Sequence, residues 1–127
     1  MNCIIVDDDK LSCKIIEGYV HKYATLNLIG TYNDAIEARN ILTKRRDIDL
    51  IFLDIMMPEM DGFQTVKKIK ADPRLKNIPV FAVSAKAMSE DKRVILKHGF
   101  DDFIPKPVNS AIINYKLKKI FSQIKIV

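Results

Sequence analysis

Short apolar runs alternate along this chain with stretches whose apolar residues recur every three or four positions. Cys3 to Val6 is the first run, rich in β-branched residues and bounded by acids. Leu11, Ile15, Ile16, Tyr19, Val20 and Tyr23 follow at helical spacing. Leu26 to Gly30 forms a second, weaker run, and Asp34 is placed to cap a helix carrying Ala35, Ala38 and Leu42. Leu50 to Leu53 is the third run. Pro58 then breaks the chain, and Gly62 to Ala71 reads as a helix with Phe63, Val66 and Ile69 on one face. Val80 to Val83 is the fourth run. Ser89 is placed to cap a helix ending at His98, with Gly99 just past its end. Phe103 and Ile104 make the fifth run, and Asn109 is placed to cap a last helix that buries Ile113, Leu117, Ile120, Phe121 and Ile124.

Regular alternation of strand and helix predicts a parallel sheet with helices on both faces, an α/β fold of three layers. The runs are continuously apolar rather than alternating, as strands covered on both faces should be. Pro105, directly after the fifth run, suits an edge strand. No repeat, linker or low-complexity segment interrupts the pattern, and 127 residues predict a single domain over 1–127.

Composition narrows the class further. Hydrophobic residues make up 48% of the chain, too many for a disordered one. The apolar runs are far shorter than a membrane span, and the start runs directly into Asp7, Asp8 and Asp9, unlike a secretory signal. Cys3 and Cys13 read as reduced thiols, which predicts a cytoplasmic protein. The net charge is +5 and the pI near 9.2. The lysines and arginines gather on helical stretches (Lys44 to Arg46, Lys67 to Lys70, Lys116 to Lys119), as solvated helix faces do. No aromatic residues interleave with them, which argues against direct nucleic-acid binding.

The candidate chemistry lies at the ends of the runs, because open α/β sheets bind ligands beyond the carboxyl ends of their strands. Asp7, Asp8 and Asp9 follow the first run, Asp54 ends the third, Ser84 ends the fourth, and Lys106 stands two residues after the fifth. An acid after a strand is ordinarily a turn or cap residue. Acids, a hydroxyl and an amine converging from four strand ends are not explained that way. Carboxylates gathered around one lysine repel each other and call for a cation. Mg²⁺ suits a site with few protein ligands, several waters and a phosphate. Charge neutralisation of this kind is what phosphoryl transfer chiefly requires, and a carboxylate can itself hold the acyl phosphate.

The segments IIVDDDK (Ile4 to Lys10), LIFLDIMMPEMDG (Leu50 to Gly62), PVFAVSAK (Pro79 to Lys86) and FIPKPV (Phe103 to Val108) resemble, at their joint spacing, the receiver domain of two-component response regulators over essentially the whole chain. The resemblance implies a flavodoxin-like (βα)5 fold with strand order 2-1-3-4-5. It implies Asp54 as phospho-acceptor, Asp8 as a direct Mg²⁺ ligand, Asp7 acting on the metal through water, and the Met56 carbonyl as a further ligand. It implies Ser84 as the phosphate-sensing hydroxyl, Lys106 as the partner of the phosphoryl group, Phe103 as an aromatic switch, and a cis peptide at Lys106–Pro107. Met56 and Lys86 occupy positions that tune phosphoryl lifetime. Asp9 is expected to be a spectator or a first-turn acid of the first helix. Neither His21 nor His98 suits a phosphohistidine, so the donor is expected from a histidine kinase or histidine phosphotransfer protein. The signal is expected to leave by the face of the fourth helix, fifth strand and fifth helix, by way of self-catalysed phosphorylation and dephosphorylation rather than turnover of a substrate.

The resemblance leaves the output open between a free-standing regulator, a transcription-factor fragment and the receiver of a hybrid kinase, with no effector segment legible after the last helix. The start, MNCIIVDD, also resembles receivers attached to LytTR-type DNA-binding domains. Phosphorylation-dependent dimerisation stays open too. Two rivals remain to be weighed. Asp7 and Asp9 form a D-x-D that, with the later Asp101–Asp102 pair, resembles haloacid-dehalogenase-type phosphatases using Asp7 as nucleophile. The other rival is a receiver-like interaction module that is never phosphorylated.

Overall fold

The computed structural model describes residues 1–55, 62–84 and 89–123. Five strands and five helices alternate: β1 (Asn2–Val6), α1 (Lys10–Val20), β2 (Asn27–Tyr32), α2 (Ala35–Lys44), β3 (Leu50–Asp54), α3 (Gly62–Ala71), β4 (Val80–Ser84), α4 (Ser89–Lys97), β5 (Asp102–Pro105) and α5 (Ser110–Gln123). The strands form one sheet in the order β2-β1-β3-β4-β5, and every pairing is parallel. Pro105 accordingly lies on an edge strand, where a missing N–H costs no ladder bond. Against β1, β2 carries one extra residue, Ile29, where the register shifts between Cys3 and Ile4.

Alternate residues of each strand feed two separate cores, which is why the runs are continuously apolar. Ile4, Val6, Ile51, Leu53, Val80 and Ala82 pack with Ala38 and Leu42 of α2, Val66 and Ile69 of α3 and Ile95 of α4. Cys3, Ile5, Leu50, Phe52, Phe81, Val83 and Ile104 pack on the other face with Cys13 and Ile16 of α1 and Ile113, Leu117 and Ile120 of α5. Phe52 and Phe81 meet edge to face across the second core, with ring centroids 5.9 Å apart.

The caps predicted at Asp34 and Asn109 form. The Asp34 side chain accepts from the Glu37 N–H (2.8 Å), and Asn109 accepts from Ile112 (3.0 Å). Gly99 follows α4 with φ +113°, a left-handed conformation that glycine adopts without strain. The side chain of Ser89 as well as Met56, Pro58, Lys86, the side chain of Phe121 and Ile124 fall outside the described residues.

Three details depart from the sequence pattern. Leu11 is 67% exposed. The helix begins at the carboxyl edge, where the sheet has ended, and its buried line runs through Cys13, Ile16 and Val20 instead. Tyr23 lies beyond α1 rather than on it, and its hydroxyl donates to Asn114 Oδ1 on α5 (2.5 Å). Nor do all the helical lysines form solvated faces. Lys70 bonds Asp101 and Lys116 bonds Asp102, both with largely buried stems.

Candidate functional site

Parallel pairing sets the candidate residues along one edge. Val6 of β1 stands beside Leu53 of β3, so the next residues, Asp7 and Asp54, emerge together. The Asp7 N–H donates to Tyr32 O of β2 (2.9 Å), fixing the strand end. Ser84 ends β4 and pairs with Pro105, and its carbonyl accepts from the Lys106 N–H (2.8 Å). The Lys106–Pro107 peptide is cis. Below Asp54, the entry to α3 lies directly against the strand. The Gly62 N–H donates to Ile55 O (2.7 Å), and a Cβ on residue 62 would stand 2.6 Å from Ile55 Cα and 2.8 Å from Asp54 O. Glycine is required there by close approach.

Charge at this edge is unbalanced. Asp7, Asp54 and Ser84 are buried, whereas Asp8 is exposed. One carboxylate oxygen from each of Asp7, Asp8 and Asp54 lies within 4.8 Å of the other two. Lys106 Nζ reaches over them, 3.2 Å from Asp7 Oδ2 and 3.6 Å from Asp54 Oδ2. Burial disfavours the Lys106 ammonium, but the charges of Asp7 and Asp54 outweigh it and hold its pKa above the usual lysine value. Asp7 Oδ1 accepts from the Asp9 N–H (2.8 Å) and from Lys106 (3.3 Å). Asp7 Oδ2, though ion-paired with Lys106, is buried and accepts no hydrogen bond among the described residues. A buried carboxylate oxygen left in that state is costly unless a cation completes it. The donor set, all hard oxygens, fits a divalent cation.

Beneath the acids, the Cys13 thiol donates to the Asp7 carbonyl (3.3 Å). Burial, then the charges of Asp7 and Asp9, push that thiol up to about 11; burial likewise pushes Cys3 up to about 11. Both cysteines are free and buried, so they are inert packing groups rather than nucleophiles.

Asp9 stands just before the first turn of α1 rather than within it. It is the N-cap of α1, accepting from the Leu11 N–H (3.1 Å) and the Ser12 hydroxyl (2.8 Å), and its Oδ2 lies 3.8 Å from Lys106 Nζ. The run from Asp9 to Ser12 carries a local capping signal in sequence; the lysine it meets is 97 positions away and carries none. Phe103 is half-buried, with Lys116 Nζ 4.8 Å and Lys92 Nζ 5.6 Å from its ring centroid. Asp101 and Asp102 enter β5 at its start, the opposite edge of the sheet from Asp7, so the D-x-D and the later pair cannot share one site. That separation disfavours the phosphatase reading.

The family model for the response regulator receiver domain matches residues 3–118. The chain is 32% identical over 124 residues to chemotaxis protein CheY-3 of Vibrio cholerae, covering 98% of this chain and 94% of that one. It is 35% identical over 106 residues to the polar-differentiation response regulator DivK of Brucella anthropi, covering 84% of each. Among solved structures, a two-component response regulator from Clostridium difficile superposes with a TM-score of 0.84 at 26% identity, covering 99% of both chains. Sheet order, strand-end acids and full-length similarity agree, and the chain belongs to the response regulator receiver domain family, the phosphorylatable signalling switches of two-component systems.

Proposed function

We propose that Asp54 accepts a phosphoryl group from the phosphohistidine of a histidine kinase or histidine phosphotransfer protein docked over the carboxyl edge. The observation that carries this reading is the convergence there of Asp7, Asp8 and Asp54 under Lys106. An Asp54 carboxylate oxygen attacks phosphorus, the P–N bond breaks, and the imidazole leaves with its electron pair and takes a proton from water. Lys106 meets the phosphoryl oxygens as negative charge builds on them. Ser84, at the adjoining strand end, donates its hydroxyl to one of those oxygens.

The donor set supports Mg²⁺ as the cation, with Asp8 and Asp54 as direct ligands, the Met56 carbonyl as a further ligand and Asp7 acting through water. When bound, Mg²⁺ would neutralise phosphate charge that Lys106 by itself does not balance. Met56 and Lys86 are the candidates for setting phosphoryl lifetime.

Movement of Ser84 toward the phosphoryl group leaves space into which Phe103 turns, and the α4–β5–α5 face changes shape for an effector. This is a population shift driven by contacts that only the phosphorylated state makes. The chain then acts as a single receiver domain over 1–127 and catalyses only its own phosphorylation and dephosphorylation. Its proposed place of work is the cytoplasm; among the described residues no helix is long and apolar enough to cross a membrane.

Acetyl phosphate with Mg²⁺ tests the acceptor. Phosphoryl label, followed by intact mass, is expected on the wild-type chain and on none of the Asp54→Asn variant. Label that persists on Asp54→Asn but disappears from Asp7→Asn overturns the assignment in favour of an Asp7 nucleophile. Beryllofluoride titration tests the switch, since a silent interaction module shows no Mg²⁺-dependent amide shifts at Ser84 or Phe103.

A further inference from the structure

Lys106 is held by three carboxylates, and only two of them belong to the proposed metal and acceptor set. Its ammonium lies 3.2 Å from Asp7 Oδ2, 3.6 Å from Asp54 Oδ2 and 3.8 Å from Asp9 Oδ2. The lysine side chain is among the most rotamer-rich, so its position depends on whatever anions remain to hold it. A divalent cation held by Asp8 and Asp54, and by Asp7 through water, would take up the charge on which Lys106 leans and repel the ammonium besides.

Asp9 is built differently from those two. Oδ1 is occupied by the Leu11 N–H and Oδ2 by the Ser12 hydroxyl, and the Asp9 N–H is tied to Asp7 Oδ1. Ser12 is buried, so the hydroxyl holding Oδ2 is itself fixed in the packing of α1. Both oxygens are thus committed to the first turn of a helix, and the carboxylate cannot swing toward the metal without uncapping α1.

We propose that Asp9, fixed by Ser12, is a positioning residue that keeps the Lys106 ammonium over Asp54 once the divalent cation is bound. This rests on the reading of Asp54, Lys106 and the cation given above. Asp9 touches neither the phosphoryl group nor the metal in this role; it acts through Lys106.

Asp9→Asn is the informative variant, because asparagine caps a helix about as well as aspartate and retains the fold. At saturating Mg²⁺, labelling of Asp54 by acetyl phosphate is expected to slow, by up to the roughly hundredfold that a 1 Å misplacement costs. Further Mg²⁺ is expected not to restore it. NMR of the Lys106 ε-methylene is expected to show an ordered side chain in the wild-type chain with Mg²⁺ and a disordered one in Asp9→Asn. Ser12→Ala should give a smaller slowing in the same direction. Lys106→Met serves as the reference. If Lys106→Met labels at the wild-type rate, the reading of the site fails and the inference with it. If Lys106→Met is slow while Asp9→Asn matches the wild type in rate and Lys106 order, or recovers on added Mg²⁺, the positioning role is overturned and the site reading stands.

Discussion

At the amino edge of the sheet Asp101 and Asp102 meet Lys70 and Lys116; at the carboxyl edge Asp7, Asp9 and Asp54 meet Lys106. The two clusters use the same chemistry to opposite ends. At the amino edge each acid has its own lysine, 2.9 Å and 2.6 Å away. Lys70 spends its remaining donors on the carbonyls of Lys76 and Ile78, and Asp101 Oδ2 also accepts from the Val80 N–H. Asp102 Oδ1 likewise takes the Phe103 N–H. Each of these acids also holds a backbone N–H at the start of β4 or β5. At the carboxyl edge Lys106 serves three acids at 3.2 to 3.8 Å, and Asp7 Oδ2 goes without a hydrogen bond among the described residues. A closed network fixes the chain where strand β5 begins. An open one keeps binding capacity in hand, and the fold carries the cost.

The sharpest way to break the contrast is Asp101→Ala. It leaves the buried Val80 N–H without its acceptor and Lys70 with only its two carbonyls, and is expected to destabilise by up to about 3 kcal/mol in urea unfolding. Phosphorylation per folded molecule should be unchanged. Next in size, Mg²⁺ at about a hundred times its dissociation constant is expected to stabilise the wild-type chain by about 2.7 kcal/mol and Asp7→Asn by much less. Equal stabilisation of the two would show that the acids do not form the cation site.

The thiols give a smaller, pH-dependent term. Their folded values near 11 lie above the unfolded value, so the folded state keeps protons that the unfolded chain loses. Stability contributed this way is complete below about pH 8.5 and falls as pH rises toward 11, by about 1 kcal/mol from Cys3 at pH 10. Cys3→Ala should flatten that slope in urea titrations between pH 8 and 10. Smallest is Asp7→Asn without any divalent ion, expected to stabilise by about 0.5–1 kcal/mol by relieving repulsion among the acids. The corresponding change at the amino edge, Asp102→Asn, should destabilise, because there the lost charge had a partner of its own.

The sheet was legible because strands covered on both faces must be apolar at every position, and Leu50 to Leu53 and Val80 to Val83 are. Caps at Asp34 and Asn109 were legible because capping is a local bargain between a side chain and the next turn. Asp54, Ser84 and Lys106 could be read because strand ends converge by topology alone. The role of Asp9 could not, since its cap is local while its approach to Lys106 is set by how β5 registers on β4. Exposure of Leu11 and the pairing of Lys70 and Lys116 were hidden for the same reason. A charged residue on a helix reads as solvated until the fold puts an acid opposite it.

Among the positions closest to Asp54, Gly62 has neither charge nor hydrogen-bonding side chain, yet the backbone of Ile55 and Asp54 occupies the space a methyl group would need. Gly62→Ala therefore removes no chemical group from the switch and still forces helix and strand apart beneath Asp54. Genetic screens for silent regulators should find residue 62 among their hits, in proteins whose acids, hydroxyl and lysine are all intact.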